Sequence, residues 1–77
     1  MTMIVVKAAF DPEAQVWFVE SSDVAGLNLE AASLEALRDK LPGALLDLLE
    51  ETGDDRRVLD LPIELIAHAS TRLSRVA

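Results

Sequence analysis

The sequence predicts an α+β fold, a two-layer β-β-β-α-β arrangement in which one helix packs on one face of a mixed sheet. Three observations predict it. Two segments rich in β-branched and aromatic residues, 2–10 and 15–21, flank an Asp-Pro turn. One leucine stripe at three- and four-residue spacing lies between Ser33 and Gly53. A further apolar segment, 62–70, follows that stripe, and a strand-helix-strand crossover would return it to the sheet.

The first segment alternates two apolar sets, with Ile4, Val6, Ala8 and Phe10 on one side and Met3, Val5 and Ala9 beside Lys7 on the other. A strand that is apolar on both faces belongs inside its sheet. In the turn Asp11-Pro12-Glu13-Ala14 the proline sits where a type I turn wants its fixed φ, and the Asp carboxylate can accept bonds from the turn amides. The partner strand, 15–21, carries Trp17 and Val19 on one face and Val16 and Phe18 on the other.

Residues 27–31 alternate Leu27, Leu29 and Ala31 with Asn28 and Glu30, the pattern of a half-exposed edge strand, with Gly26 relaxing the backbone before it. Ser33 is a suitable N-cap, and Glu35 lies in the first turn, where the helix dipole favours a negative charge. Leu34, Leu37, Leu41, Leu45 and Leu48 then form the stripe of a helix over 34–51, ended by Gly53. Such a helix is roughly 27 Å long, enough to span one face of a small sheet. Pro42-Gly43 lies inside it, and a kink or break is expected near 39–43 because proline removes one backbone bond and collides with the preceding turn. Residues 62–70 fit both periods: Ile63, Leu65, Ala67 and Ala69 alternate as in a strand, while Ile63, Ile66, Ala67, Ser70 and Leu73 fit a helix opened by Pro62. Topology favours the strand, which can pair in parallel beside the first.

One helix leaves one sheet face open, and a patch of large apolar side chains is seldom left in water. Leu46 and Leu49 also lie beside the main leucine stripe. Self-association as a homodimer or tetramer is therefore expected, with Val16, Trp17, Phe18, Val19, Leu46 and Leu49 as the candidate interface.

Composition narrows the function classes. The 77 residues carry 14 carboxylates against 7 Lys plus Arg, a net charge of −7, and the imbalance is local: −9 over residues 1–55 and +2 over 56–77. An acidic surface repels a phosphate backbone, so direct nucleic-acid binding is not expected, while a basic protein partner suits it. No apolar run approaches the roughly 20 residues of a membrane span, and the first residues lack a signal-peptide pattern, so the expected location is the cytoplasm. With no Cys and one His, neither thiolate catalysis nor a metal centre is expected, and no cofactor motif is present. His68 has no nearby sequence partner that would complete a triad, the serines have no nucleophile-elbow glycines, and the three glycines are isolated. A non-catalytic domain that works by contact is the expectation.

The run Val16-Trp17-Phe18-Val19-Glu20-Ser21-Ser22-Asp23-Val24-Ala25-Gly26-Leu27, followed by Glu30-Ala31-Ala32-Ser33-Leu34-Glu35-Ala36-Leu37, resembles the core pattern of HicB-like small bacterial proteins, in particular a subgroup described only as a domain of unknown function. In that group a hairpin ends in an Asp-aliphatic-Pro-Gly step and a short strand leads into a Thr/Ser-Leu-Glu-Glu helix start. Ala25 stands where the group usually has Pro. The resemblance spans about residues 5–53, with 62–69 in the place of the family's fourth strand. It implies a partial ribonuclease H-like fold without the catalytic acids, and antitoxin activity: binding and occluding a small basic RNA-cleaving toxin of the HicA type. Operator binding, which many full antitoxins owe to an appended DNA-binding segment, is not expected. The alternative is a homo-oligomeric binding or scaffold protein with no toxin partner.

Overall fold

The centre of the sheet is the strand whose two faces are both apolar. In the computed structural model, which describes residues 3–75, β1 (Ile4–Asp11) lies between β2 (Val16–Ser22), antiparallel to it, and β4 (Ile63–His68), parallel to it. β3 (Glu30–Ala31) pairs antiparallel with β2, giving the order β3-β2-β1-β4. The helix α1 (Leu34–Thr52) is the crossover between β3 and β4, followed by a short 3₁₀ turn, Asp55–Val58. The fold is thus α+β with one helix and a four-stranded mixed sheet. The start of the first strand placed at Thr2 lies outside the described residues.

The hairpin forms as its sequence dictates. The Asp11 carboxylate accepts from the amides of Glu13 at 2.9 Å and Ala14 at 3.3 Å. Gln15 closes the turn at φ 58°, where its amide donates to the Asp11 carbonyl and its side chain to the Pro12 carbonyl. Further along, the register slips between Lys7 and Ala8, leaving Glu20 as the extra residue of a bulge.

Beneath the helix lie Ile4, Val6 and Ala8 of β1, with Trp17 and Val19 of β2 and Ile63, Leu65 and Ala67 of β4 packed beside them. The helix meets them through one row, Leu37, Leu41, Leu45 and Leu49, all at most 4% exposed. Ser33 caps its start by accepting from the Ala36 amide. Gly53 ends it at φ 68°, with the Gly53 amide on the Glu50 carbonyl and the Asp54 amide on the Leu49 carbonyl, the paired bonds of a Schellman end.

The helix is continuous from Leu34 to Thr52 with Pro42 inside it, so the chain does not break at 39–43, and buried leucines lie on both sides of the proline. Two element bounds differ from the sequence expectation. The strand expected over 27–31 is regular only at Glu30–Ala31, although the Leu29 carbonyl still accepts from the Val19 amide at 3.0 Å and Leu27 and Leu29 pack against the core cluster that contains Val24. The last strand stops at His68, and residues 69–75 form an exposed tail without regular structure. The radius of gyration is 14.9 Å, against about 11–12 Å for a compact chain of this length.

Candidate functional site

Alternation along β2 splits the candidate interface residues between the two faces of the sheet. Trp17 and Val19 point under the helix, where Trp17 packs on the Ala8, Ala31 and Leu37 cluster and meets Phe10 with ring centroids 5.3 Å apart. Val16 and Phe18 lie half-buried on the open face. Leu46 is 44% exposed on the outside of α1, whereas Leu49 is 4% exposed and belongs to the core. The structure therefore brings Val16 and Phe18 to one surface, sets Trp17 and Val19, also half-buried, on the helix side of the sheet, keeps Leu46 on the outside of α1, and buries Leu49.

The open sheet face is mixed in character. Val5, Val16 and Phe18 are half-buried on it, Ile66 of β4 is 42% exposed, and Ala9 is 7% exposed because it pairs with Phe18 on one side and His68 on the other. Beside Ala9, His68 Nε2 lies 3.1 and 3.2 Å from the two Glu20 carboxylate oxygens. Sequence reasoning missed this pair, whose members are 48 residues apart.

A second surface lies where the C-terminal half of α1 meets the following loop. An open groove of about 290 Å³ is lined by Ile4, Pro42, Leu46, Leu59, Leu61 and Ile63 among others. Val58 and Leu59 are 76% and 54% exposed beside it. The loop is held by charge: the Asp54 carboxylate accepts from the Arg56 amide at 2.9 Å, from Nε at 3.0 Å and from Nη2 at 2.6 Å. These bonds to Arg56 stabilise the ionised carboxylate and lower the Asp54 pKa from its ordinary value to about 2. Arg57 donates to the Gly53 and Asp54 carbonyls, supplying the cation that the last turn of α1 lacks. The local spacing Asp54-x-Arg56 was the available sequence signal for this clamp.

Carboxylates dominate the outer surface. Glu35, Asp39, Asp47, Glu50 and Glu51 are all exposed on α1, set against Arg38 and Lys40. Arg38 contacts Asp39 at 3.4 Å, and Lys40 donates to the Glu30 carbonyl. Among the described residues no three His, Cys, Asp or Glu side chains converge as a metal site, and no helix is long and apolar enough to cross a membrane. The geometry offers surfaces for contact.

Residues 3–76 match the family described as "Domain of unknown function (DUF1902)". The chain belongs to this family. The DUF1902 chain is also similar to a solved structure, that of the hypothetical protein TTHA1013 from the extremely thermophilic bacterium Thermus thermophilus. The two are 45% identical, with 95% of this chain and 99% of that one covered, at a TM-score of 0.67. No curated protein matches the chain.

Proposed function

We propose that this DUF1902 domain is a non-catalytic, HicB-like protein-binding module, whose acidic body receives and occludes a small basic RNA-cleaving protein of the HicA type. The observation that carries the proposal is the placement of charge. The 12 carboxylates of residues 1–55 face 3 basic residues there, and ten of the twelve are exposed. Such a field steers a basic partner into encounter and disfavours acidic ones. The resemblance of residues 16–37 to the HicB-like core pattern supplies the class of partner. The β-β-β-α-β order accords with the partial ribonuclease H-like fold that the resemblance implies.

The test is co-expression with the product of the gene beside its own. A neighbour that arrests growth alone, and neither arrests growth nor purifies separately when this domain is present, supports the proposal. A harmless neighbour that never co-purifies overturns it. A second reading, a self-associating scaffold, draws on the open apolar positions at Phe18, Ile66 and Leu59.

A further inference from the structure

The two edges of the sheet are unlike. The β3 edge is two residues long and its Glu30 carbonyl is taken by Lys40, so it offers little to another strand. The β4 edge is six residues, Ile-Glu-Leu-Ile-Ala-His, with no bulge, Lys or Pro within it. An edge of that kind is a template for a further strand.

Its backbone polarity can be read directly. The Ile4 amide donates to the Pro62 carbonyl, so the peptide groups of the even residues 62, 64, 66 and 68 face β1, and those of 63, 65 and 67 point away from the sheet. From this we infer that β4 pairs antiparallel with β4 of a second copy about a two-fold axis at Ile66, joining two sheets into one of eight strands. The inference stands apart from the basic-partner proposal and deepens the self-associating reading, for which it names the surface.

Shape and polar pairing suit that register. With Ile66 against Ile66 of the second copy, Glu64 faces His68 of the second copy and the reverse, placing a carboxylate opposite an imidazole across the ladder on the open face. On the other face Leu65 meets Ala67 and Ile63 meets Ala69, large against small. Continued outward, the same register would lay the tail along the segment after the 3₁₀ turn. Arg72 comes against Asp60, and Leu73, 103% exposed, against Leu59, 54% exposed. Two exposed apolar side chains outside the sheet thus find each other, while the same register sets Arg75 against Arg57.

The chain has no cysteine, which makes the test clean. At the two-fold, a non-hydrogen-bonded antiparallel pair has Cα atoms about 4.5 Å apart, within disulfide reach. Ile66→Cys should convert to a covalent dimer on mild oxidation, while Leu46→Cys should not. By light scattering the wild type should show about twice the 8.4 kDa chain mass, and Ile66→Lys should fall to a single chain mass with an unchanged far-UV spectrum. A monomeric wild type overturns the inference. So does a dimer that survives Ile66→Lys with no Ile66→Cys crosslink, which leaves self-association standing and removes only this edge. Crosslinking reads the register even if the Lys variant unfolds, and neither result bears on the neighbour-toxin test.

Discussion

The imidazole of His68, at the end of β4, lies 3.1 and 3.2 Å from the two carboxylate oxygens of Glu20, in the bulge of β2, so that the pair reaches across the central strand. It ties together the two strands that do not touch. Both side chains are about half exposed, and exposed ion pairs contribute at most about 1 kcal/mol. Glu20→Gln and His68→Ala should each cost less than that in urea unfolding, with a double mutant no worse than the sum of the two. A loss of several kcal/mol from either would show that the pair, and not the apolar layer beneath the helix, holds β4 in place.

That layer should behave differently. Leu41 is 1% exposed and Leu46 is 44% exposed, five residues apart on one helix. Leu41→Ala should destabilise by about 2–5 kcal/mol, the range for truncating a buried leucine, a large fraction of the roughly 5–15 kcal/mol available to a domain. Leu46→Ala should stay within about 0.5 kcal/mol in the isolated chain. Urea midpoints for the two variants check the assignment.

Gly43 sits inside α1 with open space around the position a Cβ would take. Gly43→Ala should therefore stabilise by about 0.5–1 kcal/mol through the chain entropy that glycine alone carries. For a domain of this size that is a rise of several degrees in Tm, by about 4–8 °C per kcal/mol. No rise would mean that the helix beside Pro42 departs from regular geometry.

The Arg56 clamp predicts an acid-range effect. Asp54 has its pKa lowered to about 2 in the folded chain, first by the side-chain bond from Arg56 and then by its backbone amide. Because the folded value is the lower one, the stabilisation is present above the ordinary Asp value and is lost as pH falls from there toward 2. An NMR titration of the Asp54 carboxyl should give a midpoint of about 2 in the wild type and one closer to the ordinary value in Arg56→Gln. A wild-type midpoint at the ordinary value would remove the clamp.

Much of this fold was legible because its signals are local. Ser33 and Gly53 cap the helix through residues one turn away, and Asp11 organises a turn from three neighbouring positions. The central place of β1 followed from apolar residues on both faces. What was not legible depended on packing at a distance. Residues 62–70 fit both periods, and pairing with Ile4 to Ala9 decides for the strand. Leu49 reads as a spare leucine until the helix docks through the row 37, 41, 45 and 49, which buries it and leaves Leu46 outside. The Glu20 and His68 contact needs the register of two strand pairs and a bulge, none of which a local pattern carries. For the same reason the β4 edge, with Ile66 on its open side, was not among the expected interface residues.

The central claim is that an acidic surface on this DUF1902 domain binds a basic protein. The most direct measurement is the association rate of the purified domain with the purified product of the neighbouring gene, followed as salt rises from about 0.01 M to about 0.5 M, a range over which the screening length shrinks from about 30 Å to a few Å. Steered binding predicts a steep fall in the association rate with a much smaller change in dissociation. A rate that ignores salt, or no complex at any salt, would contradict it.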